Sequence, residues 1–212
     1  MRTYRFSVVA FFVLVLMLGG GVQTGWAQGQ SATEAEIRQM LEERDQQIKS
    51  ILEGEDGDYM AKQRKRLKEL INGVIDFRIM GKRALGPYWD DLSREQRAEF
   101  VDVFRDVVRA QSMSDLGVYN SEVTYGQIQV QKDSAFVRTT TKYEGRTTPV
   151  EYVLERRDEK WRAEDIVIDG VSTAKGYARS FQNIIRKRDF ETLMKSLRKK
   201  RAEATSNSES EG

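Results

Sequence analysis

The sequence contains no cysteine and no histidine. Without cysteine the chain can form no disulfide and carry no lipidated N-terminal cysteine, so the core of an exported form must supply its own stability. The two absences also exclude a thiol or imidazole nucleophile, a Ser-His-Asp triad and a zinc site built from histidine and cysteine. Catalysis would have to rely on carboxylates, lysine, serine or tyrosine.

Sequence motifs of common enzyme classes are also missing. The chain has no P-loop, no dinucleotide-binding glycine fingerprint and no G-x-S-x-G elbow. Adjacent carboxylates such as Asp90-Asp91 and Glu164-Asp165 are expected by chance among 33 acidic residues, and an acid–base pair also needs unequal burial. The acidic run over residues 53–58 lacks the spaced ligands of a calcium loop. We therefore predict a protein that is not an enzyme, with no catalytic residue, no cofactor and no metal site.

The N-terminus has the layout of a secretory signal peptide. Arg2 and Arg5 precede an uncharged run from Phe6 to Leu18. Gly25 and Ala27 then place small residues at positions −3 and −1 of a cleavage site after Ala27, as signal peptidase requires. The run is shorter than the roughly 20 apolar residues of a transmembrane helix. We expect residues 1–27 to be removed and the mature protein to reside in the periplasm.

The mature chain is close to neutral. The full sequence has 35 basic and 33 acidic residues, and removal of Arg2 and Arg5 leaves 33 of each sign. A nucleic-acid partner requires a clustered basic face. We therefore expect no nucleic-acid partner.

Apolar residues recur at helical spacing in the first part of the mature chain. The pattern predicts helices over residues 34–52, 59–74, 76–85 and 93–108. The third helix ends at Gly86-Pro87, a strong stop signal, and the fourth begins at Ser93, which forms a capping-box pattern with Gln96. After residue 172 the helical pattern returns and continues to Leu197. Residues 199–212 are basic and then rich in serine and glutamate, which predicts a disordered tail.

Between residues 121 and 168 the periodicity changes to the alternation of strands, rich in valine, isoleucine, threonine and tyrosine. Strands are predicted over residues 121–130, 135–143, 149–157 and 161–168. Because short turns join them, we expect an antiparallel meander. The predicted fold class is α+β, with a four-stranded antiparallel sheet covered by N- and C-terminal helices in one domain, residues 28–198. Such a sheet can be filled solid or enclose an apolar cavity, and periodicity does not distinguish the two.

Two stretches resemble the MlaC family of periplasmic phospholipid-binding proteins, also known as toluene-tolerance proteins. Residues 77–89 (FRIMGKRALGPYW) and 93–100 (SREQRAEF) are similar to a family segment that runs through Leu-Gly and Trp to Gln and Phe. Residues 161–172 (WRAEDIVIDGVS) are similar to the family pattern of Trp, Asp and Gly-Val-Ser, followed by a helix with Tyr177 and Phe181. Order and spacing agree over nearly the whole mature chain.

The resemblance implies a function, a cavity and partners. Members of this family are shuttles that exchange phospholipid with an outer-membrane lipoprotein–porin complex and with an inner-membrane ABC transporter that has an MCE-domain subunit. Each methylene group exposed to water costs about 0.8 kcal/mol, so two bare acyl chains would cost on the order of 20 kcal/mol. The resemblance therefore implies a monomeric carrier that encloses the lipid tails and leaves the polar headgroup in solvent.

We expect the cavity to lie between the inward face of the sheet and the helices that cover it. The predicted lipid-binding residues from the sheet are Val137, Thr139, Val150, Tyr152, Leu154, Ile166, Ile168 and Val171, and those from the helices are Phe77, Phe104, Phe181 and Ile185. In the strand that begins at Trp161, apolar residues occupy both parities, so periodicity leaves two possible inward faces. An error of one residue would exchange Ile166 and Ile168 for Val167.

Three other functions remain open from the sequence. The first is a general carrier of other apolar ligands, such as fatty acids, hopanoids or solvents. The second is a carboxylate-based hydrolase on a similar scaffold. The third is an interaction module with a filled core, which would bridge envelope proteins without a ligand.

Overall fold

The computed structural model describes residues 24–53, 61–113 and 116–210. Most of the predicted signal peptide and most of the acidic run over residues 53–58 lie outside these ranges. The chain forms six α-helices: α1 (Thr24–Leu52), α2 (Ala61–Asn72), α3 (Phe77–Leu85), α4 (Arg94–Ser112), α5 (Thr173–Lys187) and α6 (Phe190–Ser210). Short 3₁₀ helices follow at Gly86–Trp89 and Gly117–Asn120. The strands are β1 (Glu122–Gln131), β2 (Ser134–Tyr143), β3 (Arg146–Arg157), β4 (Lys160–Ile168) and β5 (Val171–Ser172).

The strands form one antiparallel sheet in sequence order, from β1 to β5. This confirms the predicted α+β class and the meander. The sheet has one strand more than predicted, because Val171 and Ser172 turn back and pair with Ile168 and Val167. The reversal occurs at Asp169-Gly170, where both residues have positive φ, 50° and 75°. Positive φ at both central residues is the geometry of a type I′ hairpin turn.

A β-bulge in β4 decides which side chains face inward. Leu154 of β3 pairs with Ala163, whereas its neighbour Val153 pairs with Asp165, so Glu164 is an extra residue. Because of it, the residues with odd numbers before the bulge and those with even numbers after it share one face. The inward side chains of β4 are Trp161, Ala163, Ile166 and Ile168. The bulge explains why apolar residues occupy both parities in the sequence.

The helices from α3 to α6 have a core of their own. Phe100 and Phe104 stack with ring centroids 5.6 Å apart, and Phe181 lies edge-on to both, at 6.1 and 5.8 Å. The buried members of this cluster are Phe77, Met80, Ala84, Leu85, Trp89, Phe100, Val103, Phe104, Val107, Ala174, Phe181, Leu193, Met194 and Leu197. The aromatic residues of these helices therefore pack mainly against one another.

A second core joins α1 to one half of the sheet. Its buried members are Ile37, Leu41, Val74, Ile128, Ala135, Val137, Leu154, Trp161 and Ala163. Arg38 of α1 donates hydrogen bonds to the carbonyl oxygens of Tyr125 (3.2 Å) and Gly126 (2.9 Å), at an irregularity in β1. These bonds fasten α1 along the β1 edge of the sheet.

The C-terminal helix is longer than the sequence predicts. α6 continues to Ser210, so residues 199–210, which composition predicts to be disordered, are helical. Arg198 binds Glu99 of α4 at 2.8 Å, and Arg201 lies 3.6 Å from Asp102 on the same helix. Ion pairs with α4 thus accompany this extension.

Polar contacts hold the segments around the two motif stretches in place. The backbone N–H of Asp76 donates to the carbonyl of Ala163 (2.8 Å), and the Asp76 carboxylate caps α3 by accepting from the N–H of Ile79 (3.0 Å). Asp165, 6% exposed, accepts hydrogen bonds from the Ser172 hydroxyl, and its Oδ1 accepts from the Thr173 hydroxyl and the Ala174 N–H, both at 3.0 Å. A buried carboxylate therefore holds the N-terminus of α5 against β4, where the helix dipole favours negative charge.

We predict that Asp165→Asn lowers the free energy of unfolding by about 2 kcal/mol, because an amide presents its own N–H group to donors and loses the charge. Urea unfolding followed by circular dichroism measures the change. Asp169→Asn is the matched control, since this exposed aspartate has positive φ, which asparagine tolerates. Equal stability of the two variants would contradict the anchoring role of Asp165.

Candidate functional site

A cavity of about 600 Å³ lies between the sheet and the helices. This volume falls within the range of small-molecule sites, about 300–1,000 Å³. Its sheet wall consists of Val123, Tyr125, Thr141, Tyr143, Arg146, Thr148, Val150, Tyr152, Ile166 and Ile168. The opposite wall, formed by helices and the segment between α2 and α3, includes Leu41, Arg44, Asp45, Ile48, Ile71, Val74, Ile75, Met80, Val108, Val118, Tyr119 and Tyr177. Most of this surface is hydrocarbon or aromatic.

The cavity occupies the half of the sheet that is nearer the β2–β3 hairpin. Along β3 the inward residues Arg146, Thr148, Val150 and Tyr152 line it. The next inward residue, Leu154, is only 1% exposed and belongs to the core beneath α1. The cavity therefore ends where α1 packs directly on the sheet.

The two charged residues on the inner wall each have a partner within the protein, although the Nε of Arg44 is buried without one. Arg44 donates to the carbonyl of Leu70 (2.6 Å), in the last turn of α2, and Asp45 accepts from Lys49 (2.8 Å). Burial lowers the pKa of Arg44, with further lowering from nearby arginines. Burial also raises the pKa of Tyr125 and Tyr152, and the Asp45 carboxylate raises both further. Both tyrosine hydroxyls therefore remain neutral at physiological pH.

Hydrogen bonds also join the helices that form the far wall. Asn72, 1% exposed, donates to the carbonyl of Lys68 (2.9 Å) and to the Ser112 hydroxyl (3.0 Å), which ties the end of α2 to the end of α4. The Tyr177 hydroxyl of α5 donates to Oε1 of Gln111 on α4 at 2.6 Å. Burial raises the pKa of Tyr177, so this hydroxyl stays a donor.

The mouth of the cavity is marked by exposed apolar residues on its wall. Ile168 is 46% exposed and Val118 is 40% exposed. Arg146, at the start of β3, is also exposed and lies on the wall. The opening thus combines aliphatic side chains with a cation.

The structure brings four of the twelve predicted site residues to this cavity. They are Val150, Tyr152, Ile166 and Ile168, all on β3 and β4. Because of the bulge, Ile166 and Ile168 share the face of Tyr152 and Val150, with which they pair. The prediction of an inward face for these four positions agrees with the geometry of the wall.

The other eight predicted residues lie away from the cavity wall. Phe77, Phe104 and Phe181 belong to the core of the helical layer, and Ile185 packs against it. Val137 and Leu154 fill the core beneath α1. Thr139 is buried and donates to the carbonyl of Val150 (2.7 Å). Val171 lies outside, 56% exposed. The helical aromatics pack with each other because they lie on facing helices.

Sequence reasoning missed the wall residues nearer the mouth and those of α1. The signal for Thr141, Tyr143 and Thr148 was the continuation of the same alternation towards the β2–β3 turn. Leu41 and Ile48 lie on the apolar stripe of α1, so they were recognisable as inward residues. Nothing in the periodicity identified Arg44 and Asp45 as cavity residues, because charged residues on a helix normally face solvent.

Comparison with known proteins gives the family. The model of the family described as MlaC protein matches residues 42–199. The chain belongs to the MlaC family.

Among solved structures, one similar chain is a phospholipid-binding protein from Ralstonia solanacearum in complex with a phospholipid. It is 21% identical, with a TM-score of 0.66, over 81% of this chain and 98% of that chain. At this identity the likeness shows the fold. No curated protein matches the chain. The match to the family model confirms the resemblance predicted from the two motif stretches.

The carboxylates of this MlaC-family protein that sequence reasoning considered as an acid–base pair lie outside the cavity. Glu164, at the bulge, is 5% exposed and forms ion pairs with Arg83 and, at 3.1 Å, with Arg157. Burial raises the pKa of Glu164 to about 7, assisted by a hydrogen bond with Glu155 and opposed mainly by Arg83. The bond with Glu164 and that with Arg157 lower the pKa of Glu155. These ion pairs connect β4 to α3 and β3, so the cluster stabilises the fold and does not line the cavity.

Among the described residues, no group of three or more histidine, cysteine, aspartate or glutamate residues is arranged to hold a metal ion. No helix in the same part of the chain is long and apolar enough to cross a membrane.

The raised pKa of Glu164 predicts a pH dependence of stability. Its ordinary value is 4.5 and its folded value about 7, so between these pH values the folded protein holds a proton that the unfolded chain lacks. The free energy of unfolding should therefore fall as pH rises through this window, relative to Glu164→Gln. The pKa of Glu155 is lowered, so Glu155 titrates below this pH window and does not offset the loss of stability caused by Glu164.

Urea unfolding between about pH 5 and pH 8 measures the two slopes. Glu151→Gln is the control, because its ion pair with Arg138 (3.5 Å) lies in contact with solvent. If the pH profile of Glu164→Gln ran parallel to that of the unmodified protein, the proton would not be held at Glu164.

Proposed function

We propose that this protein is a periplasmic phospholipid carrier that holds the acyl chains in the cavity and leaves the headgroup at the mouth. The observation that carries the proposal is the open, largely apolar cavity of about 600 Å³ beneath the sheet of an MlaC-family fold. The phospholipid bound to the similar Ralstonia solanacearum protein supports the choice of ligand. An acyl chain needs a protein sheath to cross water, because exposing each methylene group costs about 0.8 kcal/mol.

The distribution of charge supports the orientation of the lipid. On the inner wall, Asp45 is ion-paired with Lys49 at 2.8 Å, and Arg44 donates to the carbonyl of Leu70 at 2.6 Å. Arg146 stands at the mouth, where a phosphate keeps its contact with water. Because burial of an unpaired charge is costly, the headgroup stays outside and the tails enter.

The family membership supports a wider role in the cell envelope. The proposed protein is a monomer that exchanges lipid with an outer-membrane lipoprotein–porin complex and with an inner-membrane ABC transporter that has an MCE-domain subunit. Residues 1–27 direct its export, and their removal releases the mature protein into the periplasm. No catalytic step is needed for this role, since lipid moves by exchange between apolar environments of similar free energy.

The protein purified from its own periplasm should carry phospholipid, about one molecule per chain. Organic extraction followed by mass spectrometry, with native mass spectrometry for the stoichiometry, measures this. Recovery of fatty acid or hopanoid instead would replace the proposal by the general apolar carrier. An extract without lipid would favour the interaction module.

Thr148→Trp should reduce the recovered phospholipid about ten-fold, because an indole on the cavity wall displaces several methylene groups of the ligand. Thr147→Trp is a matched control: the neighbouring residue is exposed, is not on the wall and undergoes the same substitution. Thermal unfolding checks that both variants fold. The cavity is not the binding site if the two variants retain equal amounts of phospholipid.

A further inference from the structure

The side of the molecule at the cavity mouth carries an apolar rim. In the described part of the chain, the exposed large hydrophobic residues are Val118, Ile168 and Val171. Val118 and Ile168 lie on the cavity wall, and Val171 pairs with Ile168 across the β4–β5 hairpin. Exposed aliphatic side chains are therefore gathered where the cavity opens.

A cationic groove begins at this rim. It has a volume of about 740 Å³ and runs from Val171 along α5, and the charged residues that line it are Lys175, Arg179 and Arg186. They extend over about 16 Å of helix. α5 contains no acidic residue. Within the ranges that the structure describes, the side chains of Lys175 and Arg179 form no ion pair, whereas Arg186 donates a hydrogen bond to Asn183 (3.0 Å).

Acids at the hairpin tips are fewer than the cations named on this side. Glu144 and Asp169 lie at the tips of the β2–β3 and β4–β5 hairpins, both with positive φ. Arg146 adds a further cation beside the mouth. Cations that are not neutralised by the protein itself are available to an external anion.

We propose that this side, with its apolar rim and the cationic face of α5, docks on an anionic lipid surface during lipid exchange. The inference rests on the proposed function. Aliphatic side chains enter the boundary between headgroups and acyl chains, while lysine and arginine bind anionic headgroups. The cavity mouth then faces the bilayer, so a tail can pass without crossing water.

Co-sedimentation of the mature protein with vesicles tests the proposal. We expect binding to vesicles of equimolar phosphatidylcholine and phosphatidylglycerol, little binding to pure phosphatidylcholine, and weaker binding at high salt. The double variant Lys175→Gln/Arg179→Gln should lower the partition coefficient about 25-fold, because each cation near an anionic surface contributes about five-fold.

The matched control is Lys195→Gln/Lys200→Gln, which removes the same charge from exposed positions on α6. We expect it to leave the partition coefficient unchanged. An equal loss in both double variants, or no binding of the unmodified protein to the mixed vesicles, would overturn the proposal, even if an acidic protein were bound.

Lipid extraction from the same preparations separates the two hypotheses. If phospholipid is recovered but the mixed vesicles are not bound, the carrier function stands and the docking surface is wrong. If no phospholipid is recovered, the carrier function itself is wrong.

Discussion

The bulge at Glu164 and the carboxylate of Asp165 beside it determine how the two layers of the protein meet. One extra residue in β4 leaves Ala163 and Ile166 on the inward face, while Glu164 and Asp165 contact the helical layer. Glu164 binds Arg83 of α3, and Asp165 holds the first turn of α5. The helical layer is thus attached to β4 and packs its aromatic residues internally. Because those rings do not fill the space beneath the other half of the sheet, a cavity can persist there.

A cavity in a protein interior is costly unless a ligand fills it, since wall atoms lose dispersion partners. The rest of the fold supplies the stability that this arrangement requires. Ile37 and Leu154 close the inner end of the cavity, and the buried contact between Asn72 and Ser112 holds the far wall. A ligand that fills the remaining space adds its binding free energy to the stability of the fold. Occupancy and stability are therefore coupled in this architecture.

The sequence was sufficient for what depends on local pattern and insufficient for what depends on partners. Alternation placed Val150 and Tyr152 inward, and the capping box at Ser93 fixed the start of α4. A period of two cannot locate a bulge, so the inward face of β4 needed the pairing of Leu154 with Ala163. A helical stripe predicts that Phe104 is buried, but not that its neighbours are Phe100 and Phe181. Likewise, the composition of residues 199–210 gives no sign of the ion pair between Arg201 and Asp102.

The two family stretches build the scaffold more than the cavity. Asp76, just before the first stretch, caps α3, and Asp165 in the second stretch joins α5 to β4. Tyr177, in the helix that follows the second stretch, reaches the wall. A wall assembled from Val150, Ile166 and similar side chains makes no directional demand on a ligand, because dispersion contacts accept any hydrocarbon of suitable volume. For the proposed carrier, selection of a polar headgroup would then fall to the mouth, where Arg146 is exposed. Such a wall would accept varied acyl chains with the same fold, because Glu164 and Asp165, which join the sheet to the helical layer, lie outside the cavity.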